Sequence, residues 1–254
     1  MKKLLPLALT IVLCFSLVAC GNKRSVSSPS QIEESTSPLP ESIENIPNAT
    51  QNEDETISTK VSVGEYITFG AYEQDNDTSN GKEPIEWLVL DIVDNRALLI
   101  SKYALDCKPY NEEWAEDITW EECTLRTWLN NEFISEAFSP SEKGIIPTVT
   151  VTADDNPKSK RDAGNDTEDK AFLLSINEIY NYFKPSKIDC NVTEYAIANG
   201  AYADEEKRTC WWLRSPGEYY GKTALITPVI CLSTSGHHVE SDNAVRPALW
   251  VELD

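Results

Sequence analysis

The sequence is short of bases. It carries 22 lysine and arginine side chains against 42 aspartate and glutamate, a net charge of −20, and only two histidines. The imbalance is not confined to a tail, because residues 61–254 alone hold 17 basic and 35 acidic groups. Such a surface repels polyphosphate, which sets nucleic acid aside as a partner. The two histidines, His237 and His238, are adjacent, and neighbouring residues of a strand point to opposite faces, so regular strand structure does not let both ligate one metal ion. No repeat with a period of 20–50 residues is present. Long apolar runs are also missing after Leu4–Val18, which is itself too short for a membrane span.

That run has a reading of its own. Lys2 and Lys3 precede it, and Leu17-Val18-Ala19-Cys20-Gly21 ends it. The segment resembles a bacterial lipoprotein signal with its lipobox. The resemblance implies a signal peptide over 1–19, cleavage before Cys20, and acyl chains on the Cys20 thiol that anchor the chain to the outer face of the cell membrane. Each buried methylene contributes roughly 0.8 kcal/mol, so a multiply acylated Cys20 holds firmly. Residues 20–60 are rich in Ser, Thr, Pro and Glu, and the expectation is a disordered tether.

The folded part is expected over 61–254. Val63–Gly70 alternates like a strand; Ile85–Asp91 and Ala97–Lys102 read as two more, joined at Asp94-Asn95. Trp120–Phe138 switches to helical spacing, with Thr119 or Thr124 as its cap. Asp154–Glu168 is polar and reads as a mobile loop, and Ala171–Leu174 as a short buried strand. Ser175 and Glu178 form a capping-box pattern for a helix to Phe183, and 191–199 predicts one more helix. Strands at 209–214, 223–232 and 245–253 close the chain. Strands first, helices in the middle and strands last predict one α+β domain with a mixed, mainly antiparallel sheet.

Six separated motifs occur in order: Ile85-Glu-Trp-Leu-Val-Leu, Leu98-Leu-Ile-Ser-Lys-Tyr-Ala-Leu-Asp, Thr124-Leu-Arg-Thr-Trp-Leu-Asn, Phe172-Leu-Leu-Ser, Trp211-Trp-Leu-Arg-Ser-Pro-Gly and Val245-Arg-Pro-Ala-Leu-Trp. They resemble a bacterial domain family of unknown function found on secreted and lipid-anchored proteins. More distantly, Arg214 and Arg246 in their strands are similar to the formylglycine-generating-enzyme branch of the C-type-lectin-like fold. That likeness implies a single C-type-lectin-like domain and, as an alternative function, an oxidative modifying enzyme. Those enzymes use a close cysteine pair with copper; here Cys107, Cys123, Cys190, Cys210 and Cys231 show no such spacing, and only a pair made by the fold, Cys210 with Cys231, could substitute. Either zero or one disulfide is expected among the five. No cofactor is expected.

The remaining candidates are surface features. Trp211, Tyr219 and Tyr220 stand near turns and can stack on a sugar or peptide; Arg214, Arg246 and His237 are ligand candidates beside them. Asp75, Asp77, Ser79 and Glu86 fall at calcium-loop spacing, although the glycine, Gly81, comes one place late and no helices flank them. The leading expectation is a non-catalytic binding or display module for a glycan, peptidoglycan or protein ligand; an envelope scaffold is the other alternative.

Overall fold

A computed structural model gives the structure of residues 61–184, 188–229 and 231–253. The expected signal, Cys20 and the tether lie outside the described residues. Among those described, no helix is long and apolar enough to cross a membrane.

The chain opens with an antiparallel meander of β1 (Tyr66–Tyr72), β2 (Glu83–Val93) and β3 (Arg96–Ser101). The β2–β3 hairpin forms where Asp94-Asn95 tolerates the left-handed conformation, with φ of 48° and 63°. A crossing segment leads to β4 (Asp106–Pro109). Helices α1 (Thr124–Trp128), α2 (Ile134–Ala137) and α3 (Pro140–Gly144) follow, with a π-helical turn, Leu129–Phe133, between the first two. Strands β5 (Val149–Val151) and β6 (Thr167–Asp169) form a two-stranded ribbon around a long loop, and β7 (Ala171–Phe172) leads into α4 (Ile176–Tyr182) and then α5 (Glu194–Ala198). The last strands are β8 (Trp211–Pro216), β9 (Lys222–Thr227), β10 (Cys231–His238), β11 (Asp242–Val245) and β12 (Ala248–Glu252).

These strands build two five-stranded sheets, in the orders β1-β2-β3-β12-β7 and β10-β9-β8-β11-β4. All pairings are antiparallel except β11 with β8, so the protein is a mixed, mainly antiparallel α+β domain. Two of the chain's passages between the sheets run side by side: β3 leads to β4, and β11 leads to β12 through Arg246-Pro247. The Ser101 amide donates to Pro247 O at 3.0 Å, and the Leu105 amide to Val245 O at 2.9 Å. One apolar cluster runs through both sheets, with Trp87, Leu99 and Leu249 from the first and Trp211, Trp212 and Ile226 from the second all fully buried. Full burial of such side chains contributes roughly 2–3 kcal/mol each.

Three expectations change. The final strands number five rather than three, because Pro228-Val229 and Arg246-Pro247 interrupt the runs and proline cannot donate to a ladder. The cap of α1 is Cys123, whose Sγ accepts the Arg126 amide at 3.4 Å, and not Thr119 or Thr124. The loop between β5 and β6 is tied down. Asn156, fully buried, donates to Pro216 O at 2.8 Å and Thr234 O at 3.0 Å, and its Oδ1 accepts the amides of Lys158 and Ser159.

Candidate functional site

The arginine-bearing strands are the natural place to look first, and they hold the core. Arg214 is 4% exposed. Its guanidinium donates to Thr152 O and Leu173 O and pairs with the Glu178 carboxylate, with the Phe172 ring below it. Glu178 also accepts the Ser175 amide, so the capping box of α4 and the arginine strand share one carboxylate. Arg246, equally buried, donates from Nε to Ser101 O at 2.9 Å and lies 5.0 Å from the centre of the Trp211 ring. Trp211 itself has no exposed surface. These three candidates therefore sit inside the domain, because β8 and the β11–β12 crossing are central to their sheets.

The tyrosines behave differently. The β8–β9 turn, Gly217–Gly221, projects Tyr219 and Tyr220 into solvent, at 59% and 65% exposure. Gly221 has φ of 64°, and a Cβ there would stand 2.7 Å from Trp114 Nε1, so the turn closes against the loop that carries Trp114 only as glycine. Its amide donates to Glu116 O at 2.8 Å. From the third side comes Arg161. Its guanidinium donates to Tyr219 O, to Glu116 O and to Asp117 Oδ1, the last two at 2.8 Å, and lies 4.6 Å from the centre of the Tyr220 ring. One cation thus staples three loops. Between them opens a cleft of about 430 Å³ lined by Asp117, Ile118, Thr119, Arg161, Asp162, Gly164 and Tyr220. The lining joins an aromatic face to carboxylates and to one guanidinium, Arg161, that two backbone carbonyls already orient. A ligand entering it orders little, which favours affinity.

His237 lies outside that lining. Its ring is 6.2 Å from that of Trp212, and its Nδ1 faces Asn243 Nδ2 at 3.3 Å. Partial desolvation, followed by the charges of His238 and Lys222, holds its pKa below the usual histidine range. The calcium-spaced set is not assembled either. Asp77 Oδ1 accepts the Ser79 amide and hydroxyl, whereas Glu86 sits along β2 opposite Thr68 and pairs with Lys102 at 2.6 Å. Strand geometry carries Glu86 away from the loop that holds Asp75, Asp77 and Ser79.

Cys107, Cys123, Cys190 and Cys210 are free thiols. Burial pushes Cys107 and Cys123 up to about 12, and raises Cys190 and Cys210 as well. Cys231 lies opposite Thr227 at the start of β10, Cys210 immediately precedes β8, and β9 runs between β10 and β8. Two strand spacings separate their backbones by roughly 9–10 Å, beyond the reach of a disulfide.

Sequence reasoning missed Trp114, Asp117, Arg161 and Asp162. The one available signal was the exposed aromatic Trp114 within an acidic run; nothing local marks Arg161, whose partners lie 44 to 58 residues away.

Fold and cleft together define an α+β domain with a loop-built recess at one end of its second sheet. The chain belongs to the family "Domain of unknown function (DUF6273)", whose profile matches residues 94–253, from the β2–β3 hairpin to the end of β12. No curated protein matches, and no solved structure does.

Proposed function

We propose that this chain is an extracytoplasmic lipoprotein, anchored to the outer face of the membrane through Cys20, whose domain binds a cell-surface glycan without transforming it. The supporting observation is the Tyr220–Arg161 cleft. A pyranose ring presents C–H groups on one face and hydroxyls around its edge. Tyr220 supplies an exposed face for the first, and Asp117, Asp162 and Thr119 supply acceptors and a donor for the second. The strongly acidic chain favours neutral or amino sugars over phosphorylated polymers. The anchor and the tether rest on the sequence of residues 1–60. The C-type-lectin-like assignment rests on the resemblance around Arg214 and Arg246, both of which fix strands of the second sheet and its link to the first.

The oxidative-enzyme reading depended on Cys210 and Cys231 standing side by side, and an intervening β9 does not favour that. Binding is tested with the full chain in detergent, titrated with peptidoglycan fragments and neutral oligosaccharides. Saturable binding is expected, weakened at least about fivefold by Tyr220→Ala, since stacking of this kind contributes about 1–3 kcal/mol. No saturable binding to any glycan, or binding indifferent to that substitution, contradicts the proposal.

A further inference from the structure

The loop joining β1 to β2 gathers carboxylates at its base. Tyr72, the last residue of β1, pairs with Glu83, the first of β2, so Glu73 and Asp75 leave one strand where Glu83 enters the other. Glu73, Asp75 and Glu83 each place a carboxylate oxygen within 4.8 Å of the other two. Three negative charges at that separation repel one another strongly.

The loop nevertheless holds them in place. Glu83 Oε2 accepts the amides of Gln74 at 2.7 Å and Asp75 at 3.2 Å. Asp75 Oδ1 accepts the Asp77 amide and its Oδ2 the Asn80 side-chain amide, both at 2.8 Å. Glu73 differs from its neighbours. Only 8% exposed, it has a fully buried Oε1 that finds no hydrogen-bond partner among the described residues. A buried carboxylate oxygen without a donor is expensive, and natural structures seldom leave one.

We propose that Glu73, Asp75 and Glu83 form a calcium site, with Glu73 as the inner ligand. A cation there supplies the partner that Glu73 Oε1 lacks and offsets the repulsion of all three groups. The donors are all oxygens, with no imidazole or thiolate among them, which selects a hard cation. Calcium fits better than magnesium, because an irregular loop does not impose a tight octahedron and calcium accepts variable numbers of water ligands. Entry is open from one side, since Asp75 is exposed and lines a surface depression of about 340 Å³ with Tyr103, Asn191 and Glu194. The set shares only Asp75 with the calcium spacing visible in the sequence, because strand pairing recruits Glu73 and Glu83 in place of Glu86. It lies apart from the Tyr220 cleft and does not depend on that proposal.

One competing arrangement leaves Glu73 protonated and bonded to Asp75; burial, then the charges of Glu83 and Asp75, raise the Glu73 pKa in that direction. The full chain, stripped with chelator and dialysed, separates the two. Calorimetric titration is expected to give one saturable calcium per chain, with a Kd between about 10⁻⁵ and 10⁻³ M, and magnesium binding more weakly. Calcium is expected to raise the melting temperature. Glu73→Gln and Asp75→Asn, each near-isosteric and the second at an exposed position, are each expected to weaken calcium at least about tenfold. Circular dichroism checks that both variants fold, and Asp75→Asn alone carries the test if Glu73→Gln does not. The proposal is overturned by an absence of saturable binding, or by an affinity that neither variant changes. It is equally overturned if calcium leaves the melting temperature unmoved while Glu73→Gln raises it, the signature of a shared proton.

Discussion

Arg214 shows how a single side chain decides what a strand is for. Buried on β8, it gathers Thr152 O, Leu173 O and the Glu178 carboxylate, and so ties β8 to the start of α4 and to the residue after β5. Removing one partner of a buried pair leaves the rest without compensation, which costs more than the pair itself contributes. Arg214→Met is therefore expected to lower stability by about 3 kcal/mol in urea unfolding, since two carbonyls and a partly buried carboxylate lose their donor. A loss under about 1 kcal/mol would show that the pair is solvated. Both arginines could be recognised in the sequence as buried cations needing partners, because each is set among apolar strand residues. What could not be read there is which partners they find: Glu178 lies 36 residues from Arg214, and Ser101 lies 145 from Arg246.

The elements that formed as their sequences suggest are those specified locally. The Asp94-Asn95 turn needs only two residues that accept positive φ, and the α4 cap needs only Ser175 and Glu178 three places apart. Elements specified by distant contacts were not legible. The helical spacing after Trp120 gave no hint of the π turn at Leu129–Phe133. There Asn130 turns its side chain to the strand segment after β6, accepting the amides of Lys170 and Ala171 and donating to Ala171 O. Nor did the polar loop before β6 reveal that Asn156 anchors it. The same dependence on tertiary contact separates two glycines of the β1 region. Gly70, at the bulge of β1, has φ of 69°, and a Cβ there would meet the Phe138 ring at 2.5 Å and Ala137 O at 2.7 Å. Gly64 has φ of 90° with open space around it. Thermal unfolding is expected to show Gly70→Ala losing about 3 kcal/mol and Gly64→Ala about 1 kcal/mol. Equal losses would mean that backbone strain alone, without the Phe138 contact, sets the cost.

The domain as a whole separates a rigid interior from the surface that could meet a ligand. Arg214, Arg246 and Trp211 serve the two sheets and the side-by-side passages between them, and the Cys123 thiol caps α1. The candidate cleft is made wholly of loops, at the end where Tyr219 and Tyr220 project. Of its lining only Tyr220 was visible in the sequence, because aromatic residues in a turn with glycines on both sides have no core to enter. The rest, Arg161 with Asp117 and Asp162 foremost, was not, since three loops distant in sequence meet only after both sheets have formed. The acidic surface, net −20, argues against polyanions and sharpens the expectation of a neutral or amino-sugar ligand. Hydrogen-exchange footprinting of the full chain, with and without soluble peptidoglycan fragments, reads that expectation most directly. Protection confined to 112–120, 158–164 and 218–221 is the predicted result, with the core strands unchanged. Protection elsewhere, or none at any fragment concentration that saturates binding, would contradict the assignment of the ligand to the Tyr220 cleft.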